Sequence, residues 1–542
     1  MDASRDAVDA DVDVDASRDA DVVIVGAGPN GLMLACELGL AGLRPVVLER
    51  EPGPGTEAKA NGLVGQVVTM MDRRGLYEAL AGRARPEPSR FYMFAALPLN
   101  LGLLDESPVH TLPVPQPRLV RALAERAAEL GADVRYGHAL AGLEQDGHGV
   151  RADVDGPAGT YRISARYLVG ADGGHSTTRK LCGIGFPGVS LDRITRRWGE
   201  VSVPGELIDA ATGGLDVPGH GLVLPFLGER TERGGFSFAP LPGRPPTIAT
   251  MEWDRPGPDA PMTLDELRDS VRRVLGADVP IGPPDGDGPH ALRRLTGGNN
   301  RRAERFRDGR VFLLGDAAHV DPAGGQGLNL GMQDALNLGW KLAADVRGAA
   351  PAGLLDSYDA ERRPAARRVE MYARAVGALL APGDDVTGLR ELVGELLADA
   401  GAVRRVGELI AGTDVRYDMG ARDPHPLVGR CAPDLDLHTP DGPVRLAELA
   451  RTGRPLLIDR TDNGSPTGIV GDRVHAVTAK TTRHDDGLRN VAGSGLAGGG
   501  DVTAVLVRPD SYVAWASSSP RPSAAELDEL GAAVRRWFGG PG

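Results

Sequence analysis

The stretch Asp21-Val22-Val23-Ile24-Val25-Gly26-Ala27-Gly28-Pro29-Asn30-Gly31 constrains this chain more than any other. Its apolar half reads as a parallel strand buried on both faces. A Gly-x-Gly-x-x-Gly turn follows at once, then a helical segment from Leu32 to Gly42. A second apolar run, Val46-Val47-Leu48, closes on Glu49 and Arg50. Each part has a mechanical task. Gly26 permits the tight turn, Gly28 lets the backbone approach a pyrophosphate, and Gly31 lets helix and strand pack closely. Free N–H groups at the helix start face the phosphates, and Glu49 stands where a ribose hydroxyl is bound. Strand, helix and carboxylate in register predict a dinucleotide site without saying which dinucleotide.

At 542 residues the chain exceeds a single core, so two or three domains are expected. Hydrophobic content of 41% and charged content of 25% place it among globular proteins. No apolar run reaches membrane-spanning length and no signal-peptide pattern opens the chain, so a cytoplasmic location is expected. The net charge of −13 disfavours nucleic acid as a partner. Nearly half of that charge sits in residues 1–21, which carry eight Asp and two Arg and repeat Asp-Ala-Ser-Arg-Asp-Ala. Residues 1–20 are read as a disordered acidic leader. Cys36, Cys182 and Cys431 are an odd, widely spaced set, expected to be small buried residues; no metal site is expected.

Helices are expected at Gln66–Leu80 and Pro117–Leu130. Short strands are expected at Val134–His138, Ala139–Gln145, Val150–Val154 and Tyr161–Ile163, before a second buried run at Tyr167–Gly170. Residues 187–290 are rich in Pro and Gly and alternate in places, suggesting a β-rich insert. Arg310–Leu314 restarts the buried-strand pattern, and a helix from about Gly331 to Val346 turns one apolar face to the core. From about Pro433 the texture becomes that of a small α/β unit. It has strands near Pro455–Asp459, Val502–Val507 and Tyr512–Ala516, a glycine-rich loop at 493–500 and a final helix at Ala524–Phe538.

Two further segments bear on the ligand. Tyr167-Leu168-Val169-Gly170-Ala171-Asp172-Gly173 runs on to Arg179, and Val311-Phe312-Leu313-Leu314-Gly315-Asp316 runs on through His319 to Asn329. Each is a buried strand ending in a carboxylate beside glycine, placing Asp172 and Asp316 at strand C-termini, where open α/β sheets bind ligands. Gly324, Gly325 and Gly327 before a helix offer backbone N–H groups to an electron-rich ligand edge.

With these three motifs in this order, the chain from about residue 21 to its end resembles the aromatic-hydroxylase-type (group A) flavoprotein monooxygenases. It is most similar to the bacterial enzymes that oxygenate aromatic polyketides during antibiotic biosynthesis. The resemblance implies an α/β fold. A Rossmann-like FAD-binding domain like that of p-hydroxybenzoate hydroxylase would span 21–186 and 291–432, with a helical extension. A β-rich substrate domain would occupy 187–290, and a thioredoxin-like domain without Cys-x-x-Cys would occupy 433–542, serving packing or a homodimer. Carried over residue by residue, Gly26, Gly28, Gly31, Glu49 and Arg50 resemble the adenosine-pyrophosphate site, and Gln116 an FAD contact. Leu140 falls near the adenine, Asp316 on the ribityl chain, and Gly327, Leu328 and Asn329 on the isoalloxazine. Asp172 resembles an aspartate shared by FAD and the nicotinamide cofactor, its bland alternative being a structural cap. Flavin-face candidates are Lys59, where an arginine is common, and Asp321 and Pro322, in a loop one residue shorter than usual. His319 is expected to be a structural hydrogen-bonder.

The resemblance further implies that NADPH or NADH reduces FAD, which reacts with O₂ to a C4a-hydroperoxide that hydroxylates a polycyclic aromatic substrate. The same scaffold is compatible with Baeyer–Villiger or other oxidative ring rearrangement, and a non-catalytic flavin-binding scaffold is a third reading. Arg196, Arg197 and Trp198 are pocket candidates, with a surface basic pair as the alternative.

Overall fold

The computed structural model describes residues 18–56, 60–190, 192–240, 243–286, 290–321, 325–479 and 502–540. Its centre is an eight-stranded sheet. The first strand, Ala20–Val25, lies between the parallel strands Pro45–Glu49 and Gly159–Gly170. Asp133–Tyr136 and Val311–Leu313 extend the parallel array on either side. Val22, Val23 and Ile24 are fully buried, as the continuous apolar run requires. The leader expected over 1–20 mostly lies outside the described residues, but its last part is ordered. Arg18 donates to His148 O, Asp19 accepts from Ser164, and Ala20 opens the strand.

Several elements differ from expectation for local reasons. Tyr161–Ile163 and Tyr167–Gly170 are one twelve-residue strand, because its first half pairs continuously with Val150–Gly156. The helix expected over Gln66–Leu80 stops at Asp72 and resumes as Tyr77–Ala81. Gly75, at φ 72°, turns the chain between them, and Arg73 and Arg74 are buried at the break. The Pro117–Leu130 expectation is met by Gln116–Glu129, with Leu119, Leu123 and Ala127 buried.

The β-rich insert forms a five-stranded sheet covered on one face by a helix, Leu264–Leu275. That helix was not expected. The sheet takes its edge strand from Leu292–Thr296, so it runs past the expected boundary at 290. Arg230 anchors the insert to the helical extension through Ala381 O, Thr387 Oγ1 and Gly383 O.

The C-terminal unit carries a four-stranded mixed sheet in which Leu456–Asp459 pairs parallel with His475–Thr478 and antiparallel with Ala504–Val507. The final helix spans Ala524–Phe538 and starts with a capping box between Ser523 and Glu526. The glycine-rich loop at 493–500 lies outside the described residues. No helix among the described residues is long and apolar enough to cross a membrane.

The helix expected from Gly331 begins at Gly327 and runs to Val346. It is buried on all sides from Asn329 to Ala343, not along one stripe. One side packs on the Pro29–Leu40 helix, and the C-terminal unit closes another. Its polar residues therefore enter a dry ionic cluster. Lys341 Nζ lies 2.7 Å from Glu361, Arg508 holds both Glu361 oxygens at 2.6 and 2.8 Å, and Asp510 pairs with Arg508 and Asn337. Burial opposes the charge of Lys341 and brings its pKa down to about 8, although Glu361 pulls the other way. Glu361→Gln leaves two buried cations with Asp510 alone. It is expected to destabilise the protein by roughly 3–5 kcal/mol, read as a lower denaturant midpoint that separates the C-terminal unit from the rest.

Candidate functional site

The first loop is closed by backbone on two sides and open on the third. A Cβ on Gly26 would meet Ala171 O, and one on Gly31 would overlap Gly26 O. A Cβ on Gly28 would meet nothing within 4 Å. Gly26 and Gly31 are glycines because the protein fills the space, whereas Gly28 faces room left for something else. The Pro29–Leu40 helix starts there with Gly28 at its N-cap and no side-chain cap, so its dipole faces that room.

Glu49 ends its strand beside this opening. Its carboxylate accepts Ala27 N–H at 2.8 Å and Glu51 N–H at 3.0 Å, which fixes it without exhausting its lone pairs. Arg50 is exposed and pairs loosely with Glu51 at 3.4 Å. Leu140 is buried beside a bulge that interrupts the ladder before Gly142. Gln116 is the first residue of its helix, and its backbone N–H bonds Ala60 O at 2.9 Å.

The other two motifs converge on the same sheet edge. Asp172 follows the Gly159–Gly170 strand, and its carboxylate accepts from Ser176 Oγ at 2.6 Å, Thr178 N–H at 2.9 Å and Thr178 Oγ1 at 3.1 Å. Ser176 caps the short Thr177–Leu181 helix by accepting Arg179 N–H, and Asp172 supports that start by taking the Ser176 hydroxyl and Thr178 N–H. Asp316 sits in a 3-10 turn just after the Val311–Leu313 strand and is exposed, its Oδ1 3.8 Å from where a Gly327 Cβ would be. Gly327 opens the long helix, with Leu328 half-buried beside it. Asn329 is buried and accepts Val64 N–H at 3.0 Å, tying the helix start to the ribbon that precedes Gln66.

Two residues to which no role was given on sequence grounds hold these loops together. Arg179 lies over the Phe186 ring and donates to Gly174 O at 2.9 Å and Ala317 O at 2.8 Å, pinning the Asp-Gly loop to the Gly-Asp loop. The Asn30 side chain fits a notch that a Cβ on Gly315 or Gly331 would fill. Its Oδ1 is buried without a partner at the mouth of the glycine loop. An uncapped helix start, an open Gly28, an orphan amide oxygen and two carboxylates at strand ends fit a dinucleotide with a pyrophosphate and two polyol chains.

Lys59 and Pro322 lie outside the described residues, as do the other residues of 57–59 and 322–324. Asp321 is half-buried, and its pKa is pushed up to about 6 by burial and by Glu370 and Asp316, against His319 and Arg302. His319 is a hydrogen-bonder, as expected, with Nε2 2.7 Å from Asp334 Oδ2. Burial works against its charge, but Asp334 prevails and raises its pKa. Asp334 also takes Gly315 N–H at 3.1 Å and Arg362 Nε at 2.7 Å.

Arg197 must be withdrawn from the pocket candidates. It faces the covering helix, bonded to Glu252 at 2.9 Å and Glu266 at 2.8 Å, because alternation on its strand turns odd residues that way. Arg196 and Trp198 lie on the opposite face, turned away from the Leu264–Leu275 helix, and are half-buried. The thiols are not reactive centres. Burial raises Cys36 to about 12 and Cys182 to about 11, and it raises Cys431 as well.

Two outcomes test this geometry. Gly28→Val is expected to fold, by circular dichroism, but to purify without bound flavin, whereas Gly31→Val is expected to fail to fold. Asp321 binds its proton more tightly folded than unfolded, so it costs stability above about pH 6 and stops costing it as pH falls toward 4. Asp321→Asn is therefore expected to raise the melting temperature at pH 8 and to leave it nearly unchanged near pH 3, below the ordinary carboxylate pKa.

The family described as FAD binding domain matches residues 19–373, and that described as Aromatic-ring hydroxylase, C-terminal, matches residues 425–541. The chain is 42% identical over 535 residues to the 12-dehydrotetracycline 5-monooxygenase/anhydrotetracycline 6-monooxygenase of Streptomyces rimosus, covering 96% of this chain and 99% of that one. It is 36% identical over 525 residues to a dialkyldecalin synthase of Streptomyces rugosporus, covering 96% and 98%. The solved structure of the OxyS anhydrotetracycline hydroxylase from Streptomyces rimosus superposes with a TM-score of 0.80 at 39% identity, covering 96% of this chain and 100% of that one. With its Rossmann-like, β-rich and thioredoxin-like parts all matched, the chain belongs to the FAD-binding aromatic-ring hydroxylases, the group A flavoprotein monooxygenases.

Proposed function

We propose that this protein hydroxylates a polycyclic aromatic polyketide, consuming O₂ and NADPH or NADH. The observation that carries the reading is an FAD-binding part joined to a separate sheet with a half-buried face turned away from the Leu264–Leu275 helix. That face presents Trp198, Met251 and Arg196, on a chain 42% identical to an enzyme named for oxygenating tetracycline precursors. A flat aromatic substrate suits such a face: Trp198 and Met251 supply apolar contact and Arg196 a cation for a phenolate or carbonyl oxygen.

FAD supplies the oxygen-transfer chemistry once reduced; the chain binds, orients and shields. In this reading Gly26, Gly28 and Gly31 admit the pyrophosphate and Glu49 takes the ribose, with Arg50 beside the adenosine. Gln116 and the backbone at Leu140 flank the adenosine half. Asp316 takes the ribityl chain, and the backbone at Gly327, Leu328 and Asn329 faces the flavin ring. Asp172, which already accepts three hydrogen bonds at the helix start, keeps a lone pair on Oδ1 for a passing nicotinamide nucleotide. Asp321 borders the reacting face, for which the resemblance also names Lys59 and Pro322. Its carboxyl gives up its proton above about pH 6, so near neutrality it stands mostly ionised and able to accept one. The division into 21–186 with 291–432, 187–290 and 433–542 is retained, with the insert closing after Thr296.

The test is NADPH and NADH consumption against a panel of polycyclic phenols and quinones, with product masses under ¹⁸O₂. Hydroxylation adds one labelled oxygen and keeps the carbon rings; a labelled lactone would replace it with a Baeyer–Villiger reading. The 36% identity to a protein named a synthase keeps a non-oxygenating role as the second reading. It gains if the flavin-loaded protein converts no phenol while oxidising no nicotinamide nucleotide. Arg196→Ala is expected to raise KM for an accepted phenol about tenfold with little change in kcat.

A further inference from the structure

A cavity of about 410 Å³ shares no lining residue with the FAD cradle, and no residue of the β-rich insert lines it. Its walls come from the Gln66–Asp72 helix, the 85–110 segment, the Ala400–Ala411 helix and the start of the C-terminal unit. That volume is within the range that holds a small organic ligand, roughly 300–1,000 Å³.

One helix face organises the cavity. Gln66, Thr69 and Arg73 line it at i, i+3 and i+7, so the outer two stand about 10 Å apart along the helix. Both are 2% exposed. Gln66 donates to Tyr512 OH at 3.2 Å, which leaves its Oε1 buried with no partner. Arg73 donates to Ala432 O and, at 3.5 Å, to the Cys431 sulfur, which leaves its Nε buried with no partner. Among the described residues no carboxylate lies within ion-pair distance of Arg73. A buried guanidinium served by one carbonyl and a thiol is unusual, because an uncompensated interior charge is costly. The nearby arginine–carboxylate pairs are closed among themselves, Arg445 holding Asp72 at 2.7 Å and Asp434 at 2.9 Å.

We propose that this cavity is a binding site for an elongated hydroxyaryl carboxylate. Its carboxylate engages Arg73, whose planar fork matches that group, and its hydroxyl donates to Gln66 Oε1, two helical turns earlier. Pro108 and Leu427 supply apolar wall for the ring between them. Arg430, whose Nε also lacks a partner, adds a second cation. Glu408 and Glu106 line the cavity too. Where ionised, these two carboxyls oppose a dianion such as phosphate more than a singly charged organic anion. Bound there, the ligand bridges the FAD-binding part and the C-terminal unit. It also sits two residues from Val64, whose N–H bonds Asn329 at the expected flavin edge.

The experiment is titration calorimetry of the FAD-loaded full chain with 4-hydroxycinnamate, beside 4-hydroxycinnamide and inorganic phosphate. Saturable one-site binding of the carboxylate is expected, with the amide and phosphate at least about tenfold weaker. Arg73→Gln, with flavin content unchanged, is expected to weaken binding by tenfold or more. Should that variant lose flavin, Arg430→Gln and the cavity-filling Thr69→Phe replace it, the first weakening binding and the second abolishing it. The proposal is overturned by an absence of saturable heat with the unaltered protein, or by variants that bind as it does. It is also overturned if saturation with 1,8-dihydroxyanthraquinone, a probe for the oxygenation site, removes the binding.

Discussion

The enclosure of the Gly327–Val346 helix on all sides from Asn329 to Ala343 is the constraint on which the rest depends. Its N-terminus helps form the cofactor end of the sheet, its flank carries the Pro29–Leu40 helix, and its last turns meet the C-terminal unit. A helix so placed has no solvent face on which to keep polar residues. Gln333, Asp334, Asn337 and Lys341 are nevertheless buried on it. The structure resolves the conflict by bringing partners to them from distant sequence: Arg362 and His319 to Asp334, and Glu361, Arg508 and Asp510 to the Asn337–Lys341 end. Each carboxylate offsets a cation in a dry setting, where either alone would be intolerable.

The same helix gives the C-terminal unit a physical role without redox chemistry. Arg508 places its guanidinium between Glu361 and Asp510 with the Trp537 ring 4.3 Å away. Arg74, at the break after the Gln66–Asp72 helix, pairs with Glu37 and donates to Pro509 O and Ala450 O. The unit is therefore wedged onto the back of the cofactor-binding layer. Asp334 carries this support forward to the loop that holds Asp316, through Gly315 N–H and His319.

Much of this was legible because the signals were local. The first strand, the glycine turn and Glu49 lie within thirty residues of one another, and backbone sterics alone demand Gly26 and Gly31. The final helix announced its own start through Ser523 and Glu526. A similar signal went unread in the insert, where Thr263 stands three residues before Glu266 and Gly276 ends the Leu264–Leu275 helix. Arg197 was misplaced because a lone basic pair does not say which face of a strand each member takes. Its partners, Glu252 and Glu266, lie more than fifty residues away. Asp172 displays the complementary difficulty: its motif names a ligand contact, while Ser176 and Thr178 claim its carboxylate to brace a helix start.

By itself, the sequence determined the layered architecture, the order of the three cofactor motifs and the carboxylates at the strand ends. Those features follow from short-range periodicity and from backbone conformations that few residues adopt. Only the tertiary structure decided which polar groups are spent and which stay available. It showed Gly28 open where Gly26 and Gly31 are closed, Arg197 consumed and Arg196 free of its covering helix, and Arg73 buried without a counter-ion. The reason is physical: whether a charge or an amide has a partner depends on groups hundreds of residues away, and their proximity exists only once the chain has folded.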